Sequence, residues 1–229
     1  MGAANPAGEI IPLERAHLRQ AAEVMARAFH TDPLWQYLLP DEARRAALLL
    51  SSFRLFVRYT LRYGVGYTTT NLAGAACWLP PGNTTPTAGR MLRVAIHGAP
   101  LAFGPAALRR YSLVESYTAR LHKQYAPGPH WYLWGLGVDP PFQGHGLGGL
   151  LIQPILARAD ADHLPCYLET MNERNLPFYQ KRGFQVMSEG CAPGTSLRVW
   201  SMLRESQSRS QDGASQGRVG LGGGELRPY

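Results

Sequence analysis

The chain has 229 residues, 45% of them hydrophobic and 17% charged, with a formal net charge of +7. That length and balance allow one sizeable domain with a real core and exclude a wholly disordered chain. The positive charge is compatible with an anionic, nucleotide-bearing ligand without selecting one, no nucleic-acid-binding motif accompanies it, and no run approaches the roughly 18 apolar residues of a membrane span.

The first residues, MGAANPAGEIIPL, lack the basic region and apolar stretch of a secretory signal, so a cytoplasmic protein is expected. After an apolar run at 10–13, Leu18, Ala22, Met25, Ala26 and Phe29 recur at three- and four-residue intervals and predict a helix. His30-Thr31-Asp32-Pro33 stops it, because the residue before a proline is pushed out of the helical region. A second helix follows Asp41, with Leu48, Phe53, Phe56 and Val57 as its inner face. The period then changes. Residues 65–71 and 75–79 predict a hairpin turning at 71–74, closed by Pro80, Pro81 and Gly82. From 87 to 125 the pattern is helical again, interrupted at 98–100 and at Gly104-Pro105, and this insertion is expected to form a lid or a wall on the substrate side.

Residues 130–138 (HWYLWGLGV) predict a strand, 144–161 a helix that Pro154 should bend, and 165–170 another strand. Residues 176–182 form a short helix closed by Gly183, and 184–187 and 196–202 two final strands. This order predicts α/β construction around a mixed sheet, in one domain spanning 8–204. The cysteines Cys77, Cys166 and Cys191 have no C-x-x-C spacing, and the first two lie in apolar runs as core residues would. No histidine spacing suits a metal, so none is expected. From Ser206 the composition turns to Ser, Gln and Gly, and 206–229 is expected to be a disordered tail.

The informative stretch is Val138-Asp139-Pro140-Pro141-Phe142-Gln143-Gly144-His145-Gly146-Leu147-Gly148-Gly149. A strand ends, prolines force a turn, and glycines open a helix whose first amides lack intrahelical partners and attract an anion, with pyrophosphate as the natural occupant. A Walker A loop needs a Lys followed by Ser or Thr, which is missing. The fingerprint G-x-G-x-x-G matches at Gly144, Gly146 and Gly149, with Glu169 beyond, but too little chain remains for a complete dinucleotide-binding domain. The pattern Q/R-x-x-G-x-G/A matches at Gln143, Gly146 and Gly148, and Phe178-Tyr179-Gln180-Lys181-Arg182-Gly183-Phe184 supplies a second pattern, [FY]-Y-x-x-x-G-F.

These two motifs, in this order and between these elements, resemble the GCN5-related N-acetyltransferase (GNAT) superfamily, and within it the puromycin N-acetyltransferases. The likeness is carried by 131–138, 138–148, Leu168-Glu169-Thr170, Asn175-Leu176-Pro177-Phe178-Tyr179, Gly183-Phe184, and Ala28-Phe29 with Asp32-Pro33. It covers most of 8–204 and is patchy between about 85 and 128. The resemblance implies a mostly antiparallel sheet with a V-shaped splay between its two middle strands, flanked by helices. It implies acetyl-CoA as co-substrate and a small-molecule primary amine as acceptor, an aminonucleoside antibiotic or a related amine, in a monomer or homodimer without nucleic-acid or membrane partners.

The residues implied follow. Leu136 and Val138 would pair with the pantetheine arm, the Val138 amide would meet the oxyanion, and Gly137 would mark a bulge or allow close packing. Gln143, Gly144, His145, Gly146, Leu147 and Gly148 would cradle the pyrophosphate, with the His145 ring facing solvent. Tyr179 would be the general acid. Glu169 or Asp32 would be the base; Asp32 stands where the puromycin enzymes carry a tyrosine. Asn175 would cap the short helix and contact the cofactor. Lys181 and Arg182 would reach the CoA phosphates or form an exposed face, and Trp35-Gln36-Tyr37 would line the acceptor pocket or belong to the core. The alternatives are a protein N-terminal or lysine acetyltransferase and an inactive CoA-binding regulatory module.

Overall fold

The computed structural model describes residues 8–95 and 103–207. The expected interruption at 98–100 and the tail from 208 onward lie outside the described residues.

Seven strands form one sheet: β1 (Ile10–Pro12), β2 (Val65–Thr69), β3 (Gly74–Leu79), β4 (Trp131–Val138), β5 (Cys166–Thr170), β6 (Gln185–Cys191) and β7 (Arg198–Arg204). Their order is β1-β2-β3-β4-β5-β7-β6, and every neighbouring pair is antiparallel except β4 with β5. The helices are α1 (Leu18–Ala28), α2 (Pro33–Leu38), α3 (Glu42–Tyr63), α4 (Ala88–Ala95), α5 (Gly104–Tyr125), α6 (Leu147–Ala161) and α7 (Leu176–Gln180). None of the described helices is long and apolar enough to cross a membrane.

The unbroken apolar run of β3 is explained by helices on both faces. Ala75 and Cys77 pack with Met25 of α1 and Phe53 and Val57 of α3. Ala76 and Trp78 face Leu151, Ile152 and Ile155 of α6 on the other side. α5 lies against the far end of the sheet, where Val114 and Leu121 meet Leu197 and Val199. Cys77 and Cys166 are buried free thiols, and Cys191 is an exposed one.

Several elements differ from the sequence reading, each for a local reason. The apolar run at 10–13 contains the short edge strand β1, paired Ile10 to Thr69. Asp32 does more than stop α1: its Oδ1 accepts from the Leu34 amide at 3.0 Å, and Pro33 starts α2 with its φ already set for a helix. Six residues are too few for periodicity to reveal. α6 begins at Leu147 rather than 144, because Gly144 (φ 82°) and Gly146 (φ 80°) occupy the left-handed region. Gly104-Pro105 opens α5 instead of interrupting a helix. α6 does run through Pro154.

The expected splay is present. β4 and β5 pair at Trp131 with Cys166 and at Tyr132 with Tyr167, and then separate. The bulge, however, is at Trp134, not Gly137. Cys77 pairs with Gly135 and Trp78 with Leu133, which leaves Trp134 as the extra residue. Gly137 pairs regularly with Ala75, and its missing side chain admits α1: a Cβ there would stand 2.6 Å from Met25 Sδ.

Candidate active site

The bulge decides what β4 offers to the splay. At the start of the strand the Trp131 amide donates to Pro165 O at 2.9 Å, toward β5; just past its end the Asp139 amide donates to Ala73 O at 2.9 Å, toward β3. Without an extra residue, odd-numbered amides would face one side throughout. Trp134 switches that phase, so the amides of Leu136 and Val138 turn toward the side that β5 has left. Gln143 Nε2 donates to Val138 O at 2.9 Å, tying the strand end to the turn that follows.

A cleft of about 1160 Å³ fills the splay and continues over this turn. Leu136, Gly137, Val138, Gln143, Gly144, Gly146, Leu147 and Gly148 all line it, whereas the exposed His145 side chain does not. The amides of Gly144, His145, Gly146, Leu147 and Gly148 donate to no other described residue. Five consecutive amides without a partner among the described residues, leading into the start of a 15-residue helix, make a cradle of backbone partial charge suited to an anion. Cationic side chains stand around it. Arg27 is held by Asp139 through bonds of 2.8 and 2.7 Å, Lys181 is exposed on the rim, and Arg182 lies 3.8 Å over the Phe178 ring while donating to Phe178 O at 2.7 Å.

Behind the cleft lies a second cavity of about 390 Å³, walled by α2, α3, α5 and the splayed strands. Its lining is aromatic, with Trp35, Phe53, Phe56, Tyr111, Tyr132 and Trp134 among it, and acidic, with Asp32, Glu115 and Glu169. Of the predicted aromatic cluster, Trp35 lines this cavity, Gln36 is exposed, and Tyr37 packs beside α5 with Arg110 over its ring at 5.9 Å.

The Glu169 side chain is 5% exposed, and its Oε2 accepts from the Tyr132 hydroxyl at 2.8 Å. Burial pushes its carboxyl up to about 7, against the opposing hydrogen bonds of Tyr132 and Tyr167. Asp32 is pushed up to about 6 by burial, opposed by the amides of Leu34 and Trp35. Tyr179 is raised by burial and then by the charge of Asp32, so its phenol is protonated at neutral pH. Asn175 does not cap α7. Its Nδ2 donates to Thr170 Oγ1 at 3.3 Å, and Asn172 caps the turn before it by accepting from the Arg174 amide.

Several supporting residues escaped the sequence reading. Arg45 is buried in α3 and donates to the carbonyls of His30 and Leu39 at 2.8 Å each, which anchors the loop that carries Asp32. Tyr132 and Glu115 were silent because only tertiary packing brings them to Glu169. No group of three His, Cys, Asp or Glu suited to a metal occurs among the described residues.

The sequence model of the acetyltransferase (GNAT) family matches residues 33–184. The chain belongs to this family. It is a GNAT-type acetyltransferase, a family that binds acetyl-CoA. An uncharacterised N-acetyltransferase of Schizosaccharomyces pombe is 27% identical over 179 residues, covering 75% of this chain and 72% of that protein. Among solved structures, "histone acetyltransferase HPA2 and related acetyltransferase" of Corynebacterium glutamicum superposes with a TM-score of 0.61 at 19% identity, over 89% of this chain and 99% of that one. Arylalkylamine N-acetyltransferase 2 of Aedes aegypti gives 0.58 at 15%, over 87% and 99%. At such identities the likeness of this acetyltransferase to the two structures is one of fold.

Proposed function

We propose that this acetyltransferase moves the acetyl group of acetyl-CoA onto the primary amine of a small aromatic molecule, by direct attack with both substrates bound. The observation that carries this reading is the meeting of the two cavities. Phe29, Asp32, Leu136, Asn175 and Tyr179 line both the cleft with the anion cradle and the acidic, aromatic cavity. An anionic co-substrate held from one side and a cationic amine from the other would react there, beside Tyr179. Residues 8–204 act as one catalytic domain in this reading, with 87–125 as the acceptor-side insertion.

Amides 144–148 would hold the pyrophosphate, and the turned amides of Leu136 and Val138 the pantetheine arm. Glu169, with its carboxyl near 7, takes the proton from the ammonium and frees the nucleophile. The Val138 amide donates to the oxyanion that develops on the carbonyl. Tyr179, kept protonated by burial, donates to the departing sulfur. Asp32 stands beside Tyr179 and attracts the incoming ammonium, and Asn175 orients the thioester end. The aromatic walls suit a flat acceptor body and a cation, with an aminonucleoside such as puromycin as one instance. The enclosure by α5 favours a small molecule over a peptide, and the pairing of acid with base favours turnover over a regulatory module. Three free thiols accord with action in the cytoplasm.

Mass spectrometry of the purified protein with acetyl-CoA and separately 2-phenylethylamine, puromycin and a peptide with a free N-terminus tests the reading. One acetyl group added to either aromatic amine at enzyme rates is the expected result. Acetylation of the peptide alone, or of nothing while CoA still binds, overturns the acceptor assignment.

A further inference from the structure

Acetylation of an ammonium releases one proton per turnover. Two N–H bonds of the ammonium break and one S–H bond forms, so one proton must reach solvent. With Glu169 as the base proposed above, that proton starts on a side chain only 5% exposed, behind an acceptor that fills the cavity in front of it. The structure holds a chain of donors and acceptors leading away from it on the other side.

His122, in the last turn of α5, places Nδ1 4.0 Å from Glu169 Oε1, a gap that rotation of the carboxylate closes or a water bridges. Its Nε2 lies 2.6 Å from Nε2 of His130, and His130 Nδ1 lies 2.7 Å from Gly128 O. The tautomers follow from the end of the chain inward. A carbonyl only accepts, so His130 Nδ1 carries hydrogen; neutral His130 then accepts at Nε2; His122 therefore donates from Nε2 and turns the lone pair of Nδ1 toward Glu169. Gly128 belongs to the turn Pro127-Gly128-Pro129, in which all three residues are exposed.

We propose that His122 and His130 are the positioning residues through which the proton collected on Glu169 leaves the site to solvent at the Gly128 turn. The O–H bond of Glu169 breaks as an N–H bond forms at His122 Nδ1. The proton on His122 Nε2 passes to His130 Nε2. His130 itself is only 4% exposed, so the proton on its Nδ1 passes to water that enters at the exposed turn as the bond to Gly128 O opens. Both rings then flip back to their resting tautomers before the next turnover. Both imidazoles rest neutral: burial, and then His130 for its partner, holds His122 down to about 4, and burial lowers His130. The cationic form is thus a passing state and the chain does not trap the proton. The other groups facing it are the Tyr132 hydroxyl on Oε2, the Tyr167 ring stacked 4.5 Å from the His122 ring, Tyr125 near Tyr167, and Glu115, whose charge acts on Glu169 and Tyr132.

This inference rests on Glu169 being the base, and two measurements on the full chain separate the two ideas. Nitrogen-15 NMR of the imidazoles, without substrate, should find hydrogen on His122 Nε2 and on His130 Nδ1; either opposite tautomer breaks the path and overturns it. With acetyl-CoA and 2-phenylethylamine, His122→Ala should lower steady-state kcat at least ~10-fold while the first turnover stays fast, and millimolar imidazole should restore the rate. His130→Phe, which keeps a ring in place, should lower kcat with both KM values unmoved. Unchanged kcat, a first turnover slowed equally, or failure of imidazole to rescue would count against the relay. If the unaltered protein does not acetylate this amine, the acceptor assignment fails and the tautomers alone decide the relay.

Discussion

The cleft over the glycine turn presents backbone amides and cationic side chains, Arg27, Lys181 and Arg182 among them, whereas the cavity behind Tyr179 is walled by carboxylates and aromatic rings with no Lys, Arg or His among its described lining residues. A net charge of +7 therefore averages over two opposed fields a few residues apart. The two are also built differently. Main-chain groups at a helix start make the first, and they need only glycines at the right places. Side chains from the α1–α2 loop, α3, α5, β4 and β5 make the second, and they need those elements to converge.

If the two regions divide the work as proposed, substitutions in one should leave the other intact. The largest effect is expected at Glu169. Glu169→Gln should lower kcat/KM for 2-phenylethylamine by ~10²–10⁴-fold while calorimetric affinity for acetyl-CoA is unchanged; equal damage to both would break the division. In the unaltered protein kcat/KM should rise with pH through about 7, since the base must be ionised, and the Gln variant should lose that limb. Stability moves the other way. A carboxyl whose folded value lies above its unfolded one contributes fully below the unfolded value of about 4.3, and that contribution is lost as pH rises through about 7. Denaturant titration at pH 8 should therefore find Glu169→Gln more stable than the parent, by on the order of 1–3 kcal/mol.

Tyr179 stands where the regions meet. Tyr179→Phe should lower kcat by ~10²-fold with acetyl-CoA affinity retained; a rate within about threefold of the parent would remove it as the acid. The smallest of these effects sharpens the other side. Gly146→Ala forces a side chain into the left-handed region at φ 80°, a cost of about 1–2 kcal/mol. Acetyl-CoA affinity should fall ~5–30-fold with the amine KM unmoved at saturating acetyl-CoA.

The glycine turn before α6 was legible from sequence because it resides in backbone geometry. Gly144 and Gly146 at positive φ are needed at fixed spacing along the chain, and no distant residue has to be known. The order of the longer strands and helices was legible for the same local reason, through periods of two and 3.6 residues, whereas β1 and α2, three and six residues long, were not. Where a residue acts through a neighbour far along the chain, the reading failed or stayed open. Gly137 in a strand suits a bulge or a close approach, and only the register of β3 against β4 moves the bulge to Trp134 and gives Gly137 to the packing of α1. Glu169 and Asp32 were both candidates as isolated carboxylates, Glu169 ahead of Asp32; the structure adds that Glu169 is buried and meets Tyr132, 37 residues away. His122 and His130 carry no motif at all, since a Pro-Gly-Pro turn and the end of α5 bring their rings together. Local sequence thus determined the order of the longer elements and the glycine turn before α6, because those follow from backbone dihedrals and short-range periodicity. Tertiary structure alone decided the acidic, aromatic cavity and the environment of Glu169, because burial and charge at a point are sums over residues that the chain holds far apart.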